Sequence, residues 1–160
     1  MKCVFISPHN RQRINAFIKQ HRFTTDMIIR GEIVDMTRVE GIVAMDGDEI
    51  AGLLTYRIND GICEITSLDS LREGLGIGTT LVEQVIAIAR AENCEKVSVT
   101  TTNDNINAIR FYQKRGFDLV KLHHDSINHA RLLKPEIPLI GQNGIPIKHE
   151  LEFELLLSDQ

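Results

Sequence analysis

Apolar positions change their spacing several times along the chain, and each change marks an element. Residues 3–6 (Cys-Val-Phe-Ile) form a short apolar run read as a strand. Ser7 can cap a helix with Pro8 at its first position, after which Ile14, Phe17 and Ile18 share one face. Residues 22–38 show no clear period, and Met27, Ile28 and Ile29 are expected core contacts. From Gly41 the period shortens. Apolar runs at 42–45 and 50–58 flank Asp46-Gly47-Asp48, and Asn59-Asp60-Gly61 separates the second run from residues 62–68. Asp and Gly tolerate positive φ, so three antiparallel strands joined by two tight turns are predicted.

Ile77, Leu81, Val85, Ile88 and Ala89 fall on one stripe of a helix over residues 77–92. Residues 96–101 (Lys-Val-Ser-Val-Thr-Thr) alternate as a strand does. Asn103 or Asp104 is expected to cap a further helix ending near Arg115, with Gly116 just past its end. Strands follow at 117–122 and 151–157, separated by a long irregular connection holding Pro135, Pro138, Gly141, Gly144 and Pro146. The pattern describes one α+β domain over residues 1–160, its strands arriving mostly as antiparallel neighbours.

Bulk properties narrow the function classes. The 160 residues are 42% apolar and 25% charged, which suits a globular domain with its own core. No apolar run approaches the ~18 residues of a membrane span, and the apolar start is too short for a signal-peptide core. A cytoplasmic location is the expectation. Net charge is -4, with both signs mixed along the chain. No basic cluster points to nucleic acid, and no basic amphipathic helix points to a membrane surface. Cys3, Cys63 and Cys94 lack ligand spacing and read as reduced thiols. His123, His124 and His129 have no nearby cysteine to complete a zinc pattern, so no metal is expected.

The chemistry concentrates at Leu71-Arg72-Glu73-Gly74-Leu75-Gly76-Ile77-Gly78-Thr79-Thr80-Leu81. Alternate glycines leave backbone amides unobstructed, and a helix begins there. Its free N–H groups and positive dipole end suit a pyrophosphate. The competing reading is a glycine-lined turn packed closely on a strand. Gly-Lys-Ser/Thr is absent, which excludes a nucleotide P-loop. Gly-x-Gly-x-x-Gly fails at Thr79 counting from Gly74 and at Leu81 counting from Gly76. Hairpins rather than a βαβ unit precede the loop, so dinucleotide binding and hydride transfer are disfavoured.

Gly76-Ile77-Gly78-Thr79-Thr80-Leu81 resembles the second half of the acetyl-CoA signature of the GNAT superfamily of N-acetyltransferases. Asn105, Ala108, Tyr112, Gly116 and Phe117 match that superfamily's second signature, one helix and one strand later. The resemblance implies an α/β/α sandwich around a mostly antiparallel twisted sheet of about seven strands, splayed between the fourth and fifth. It implies acetyl-CoA as acyl donor, without a metal, and direct transfer to an amine in a ternary complex. A non-catalytic acyl-CoA-binding module is the alternative. Homodimers are common in the superfamily.

Residue by residue, the resemblance implies that the loop around Gly74, Leu75, Gly76, Ile77, Gly78 and Thr79 holds the pyrophosphate, and that main-chain groups near Leu68 bond the pantetheine arm. Asn105 would bond the same arm, or serve as a plain helix-start residue. Tyr112 would protonate the leaving thiolate, or pack in the core. Glu73 stands where the superfamily has Arg or Gln, and it is expected to turn to solvent. Attack by an amine needs a proton acceptor. Glu64, mid-strand among apolar neighbours and read on the same face as Ile62, Thr66 and Leu68, is either that base or a cross-strand partner of Arg57. His123, His124 and Asp125 stand in reserve. Acceptor choice would lie with residues 24–38 and 125–150.

Overall fold

The turns at Asp46-Gly47 and Asp60-Gly61 join three consecutive strands, β4 (Glu40–Asp46), β5 (Glu49–Asn59) and β6 (Ile62–Ser70). Asp60 and Gly61 both have positive φ, at 50° and 75°, as the tight turn requires. The computed structural model describes residues 1–157. Before this meander come β1 (Lys2–Phe5), α1 (Arg11–Arg22) and a hairpin of β2 (Asp26–Ile29) with β3 (Glu32–Asp35). After it come α2 (Ile77–Ala91), β7 (Lys96–Thr102), α3 (Ile106–Lys114), β8 (Asp118–His123), α4 (Ser126–Leu133), one 3-10 turn at Gln142–Gly144 and β9 (Glu150–Leu156). Seven strands form one sheet in the order β1-β4-β5-β6-β7-β9-β8. Among its pairs only β6–β7 is parallel.

Both faces of the sheet are covered. On one face α2 and α3 pack Leu81, Val85 and Tyr112 against Leu54, Ile65, Val97 and Phe153. On the other, α1 and the β2–β3 hairpin pack Ile14, Ile18, Ile29 and Val34 against Val43 and Leu53. Double coverage explains why β4 and β5 contain unbroken apolar runs, Ile42-Val43-Ala44 and Leu53-Leu54, instead of strict alternation.

Four local expectations change. α1 starts at Arg11 rather than at Pro8, because the Asn10 side chain accepts from Ser7 N (2.8 Å) and closes a turn ahead of the helix. Residues 22–38 contain the β2–β3 hairpin, turning at Arg30 and Gly31 with φ of 48° and 81°. A positive-φ Arg is a poor turn signal, which hid this hairpin in the sequence. Asn105, rather than Asn103 or Asp104, caps α3 by accepting from Ala108 N at 3.1 Å. α4 occupies the stretch after β8 that had shown no helical signal.

Gly52 sets how closely α2 lies on the sheet. A Cβ there would stand 2.6 Å from Ile77 Cγ2 and 3.2 Å from Leu81 Cδ1. Those two residues open α2 and face the core. Gly52→Val is therefore expected to lower stability by about 1–3 kcal/mol through overpacking. Denaturant unfolding checks this, and an unchanged midpoint would mean that α2 shifts freely.

Candidate active site

One register break creates the central cleft. Thr55 pairs with Ser67 while Tyr56 pairs with Ile65, so Thr66 is an extra residue in β6. Its hydroxyl and that of Ser67 both bond Thr55 Oγ1, at 2.7 and 2.6 Å, inside the sheet. The bulge reverses side-chain phase. Leu68 consequently packs with the α2-side core, whereas Glu64 points to the hairpin side, which corrects the reading of the two on one face. β6 and β7 pair only from Ile62–Lys96 to Ile65–Val99, then separate. A cavity of about 270 Å³ fills the gap, bordered by Thr66, Ser67 and Leu68 on one side and by Thr100, Thr101 and Thr102 on the other. Unpaired main-chain groups on these diverging ends can bond an extended ligand as an added strand would.

A second cavity, of about 570 Å³, shares Leu68, Asn105, Ala108 and Tyr112 with the first and ends on the glycine loop. Gly76 is the left-handed N-cap of α2, with φ of 71°. Thr80 N bonds back to Gly76 O at 3.0 Å, so the amides of Ile77, Gly78 and Thr79 precede the first helical bond. Gly74, Gly76, Ile77, Gly78 and Thr79 all border the cavity; Leu75 does not, and its side chain is exposed. Glu73 is exposed on the rim, as expected. Arg72 is held by Asp46 and by Glu49 (2.8 Å). Arg115 is the overlooked residue. Its guanidinium lies 4.0 Å over the Phe111 ring and donates to Thr79 Oγ1 at 2.6 Å, on the wall of the glycine-loop cavity. It has no carboxylate partner among the described residues.

Tyr112 stands where the two cavities meet, ringed by Phe111, Phe117 and Phe153. Burial, reinforced by the Asp69 carboxylate and opposed by Arg22, pushes its phenol above the usual tyrosine range. It therefore keeps its proton at neutral pH. Asn105 spends its carbonyl oxygen on the α3 cap, which leaves its NH₂ as the donor beside both cavities. Burial also raises the Cys63 thiol to about 12, consistent with an inert core residue.

Glu64 borders a different space. It lines a cavity of about 310 Å³ on the hairpin side and does not reach the one that Tyr112 borders. Both of its oxygens are engaged: Arg57 Nε donates to Oε1 (2.7 Å) and Arg30 Nη1 to Oε2 (2.8 Å). His123, His124 and Asp125 border neither the cleft nor the loop cavity. His123 bonds Glu152 at 2.8 Å, and His124 stacks on His149. The carboxylate that does border the cleft is Glu150, 4% exposed. Its signal was present in Glu150-Leu-Glu152-Phe-Glu154, alternate carboxylates at the start of β9, where period two puts all three on the hairpin-side face.

The sequence pattern of the acetyltransferase (GNAT) family matches residues 11–117. The uncharacterized protein YdhI of Bacillus subtilis is 39% identical over 158 residues, covering 96% of this chain and 99% of the relative. The uncharacterized protein YxbD of the same organism is 42% identical over 139 residues, covering 86% of this chain and 87% of its own. A Bacillus subtilis acetyltransferase solved in complex with CoA shares the fold at a TM-score of 0.71 and 20% identity, over 98% of this chain and 99% of that one. A seven-stranded splayed sheet, a glycine loop opening α2 and the sequence match over most of the chain agree: the protein belongs to the GNAT family of acetyltransferases.

Proposed function

We propose that the protein transfers an acetyl group from acetyl-CoA to an amine, with both substrates bound at once. The observation that carries this reading is a buried phenol, Tyr112, at the junction of a glycine-loop cavity and a cleft between diverging strands. The amides of Ile77, Gly78 and Thr79 hold the pyrophosphate. The guanidinium of Arg115 adds the side-chain contact that Glu73 cannot make. The pantetheine arm runs along the β6 end near Leu68 with the Asn105 NH₂ beside it, which brings the thioester to Tyr112. The phenol then protonates the sulfur as the C–S bond breaks. Glu64, clamped by two guanidinium groups, serves in this reading as the ion-pair partner of Arg57 and Arg30.

Incubating acetyl-CoA with a broad amine panel (polyamines, amino acids, aminoglycosides, peptide N-termini) should release CoA thiol, and a no-amine control should stay silent. Tight binding without release for every amine would favour the non-catalytic module. Tyr112→Phe preserves the ring packing and is expected to lower kcat by roughly 10²-fold with acetyl-CoA affinity unchanged. Equal losses in rate and binding would assign Tyr112 to cofactor positioning instead.

Arg115→Gln is expected to weaken acetyl-CoA binding about tenfold or more, since a charge-assisted hydrogen bond contributes about 1.5–3 kcal/mol. Calorimetric titration with unchanged affinity would remove Arg115 from the phosphate site.

The tyrosines also predict an alkaline behaviour. Burial and the Glu40 carboxylate raise the Tyr56 phenol to about 12, and Tyr112 is raised as well. At pH ~10, where an exposed phenol is half ionised, the native protein should show almost no phenolate absorbance. The stability these protonated phenols contribute is fully present below pH ~10 and declines as pH rises through about 12, because the unfolded chain ionises first. Substantial phenolate in the native protein at pH ~10 would show that at least one of the two phenols is solvated.

A further inference from the structure

Among the described residues, no cation pairs with the Glu150 carboxylate, which borders the cleft. Glu150 Oε2 accepts from Arg30 N at 3.0 Å, while Oε1 is buried without a hydrogen-bond partner. The neighbouring cations are already committed. Arg22 makes a two-pronged contact with Asp69, at 2.8 and 3.0 Å, and the Arg30 guanidinium is held by Glu64 and Thr100. A buried carboxylate oxygen left unpaired is costly, and a donor on a ligand in the adjoining cleft would remove that cost. Where the hairpin covers it, the cleft is lined by the apolar side chains of Met27, Ile28 and Ile29. A ligand that satisfies both features is a short alkyl stem ending in a cation. A free carboxylate on that ligand would find no uncommitted cation in the cleft.

We propose that Glu150 is the carboxylate that receives the acceptor's ammonium group and takes its proton, and that the acceptor is a primary alkylamine. This rests on the acetyl-transfer reading above. Glu150 removes one proton from the ammonium, and the neutral nitrogen attacks the thioester carbonyl carbon. The N–C bond forms and the C–S bond breaks, and the sulfur takes the Tyr112 proton. The second proton leaving nitrogen restores the phenol, and Glu150 releases its own to solvent. The products are the N-alkylacetamide, CoA thiol and one proton.

Glu150→Gln retains an oxygen for the Arg30 amide and removes only the charge. With n-butylamine as acceptor, kcat/KM is expected to fall at least ~10²-fold, the lower range for losing a general base. Acetyl-CoA affinity by calorimetry and the melting temperature should be unchanged. A second measurement needs no variant: butylguanidinium, which keeps N–H donors and a fixed positive charge, should inhibit the wild-type enzyme competitively against butylamine and not against acetyl-CoA. Butylamine should also be a better acceptor than α-amino acids. Undiminished kcat/KM in the Gln variant, a preference for α-amino acids, or no competition by butylguanidinium would each overturn the inference while leaving acetyl transfer standing. A variant that loses acetyl-CoA affinity and stability together would make Glu150 structural and overturn it too. If wild-type protein acetylates no amine at all, the acetyl-transfer reading itself fails and takes this inference with it.

Discussion

The extra residue in β6 is the constraint on which the rest of the site depends. A β-strand has strict period two, so one inserted residue reverses every side chain beyond it. In this chain the insertion at Thr66 lets Glu64 face the hairpin while Leu68 joins the α2-side core, three hydroxyls closing the break inside the sheet. It also ends the parallel pairing at Ile65–Val99, although β5 still holds β6 and β9 still holds β7 further along. The sheet therefore opens without losing either half. A cleft through the middle of a sheet is otherwise prohibitive, since it exposes main-chain donors and acceptors that only a ligand or water can satisfy.

The hairpin-side face is organised by a single arginine. Arg30 sits at the tip of the β2–β3 hairpin and reaches three strands of the sheet: Glu64 on β6, Thr100 on β7 and, through its own amide, Glu150 on β9. Its backbone φ is positive, at 48°. This pin turns a two-stranded hairpin, marginal by itself, into a fixed roof over the cleft. It also explains why Glu64 is tolerated in a buried strand. A carboxylate there is costly alone and acceptable when both oxygens meet guanidinium groups.

The glycine-loop end is built differently. Its amides are free because a helix must begin somewhere, and Gly76 supplies the left-handed cap that aims them. Gly78 lets the Phe111 ring stand 3.3 Å from where a Cβ would be, and this ring is the platform for Arg115. The Arg115 guanidinium, from the C-cap of α3 and far away in sequence, thus stands beside the glycine loop.

Much of the architecture is local in origin and legible without coordinates. Asp-Gly turns, the stripe of α2, the alternation of β7 and the glycine loop are each decided by residues a few positions apart, and both motifs that point to the family lie within such elements. Tyr112, Asn105 and the loop glycines could be named for the same reason. The β2–β3 hairpin could not, because its turn uses an Arg at positive φ whose partners lie on three distant strands. Glu64 could not be separated from the cleft, since a bulge is a property of two strands in register and leaves no trace in one of them. Arg115 was silent as well, and Glu150 showed only as one of three alternate carboxylates. Each owes its significance to what stands beside it across the fold, an empty valence in one case and a helix terminus in the other, and long-range neighbours are what a sequence alone does not display.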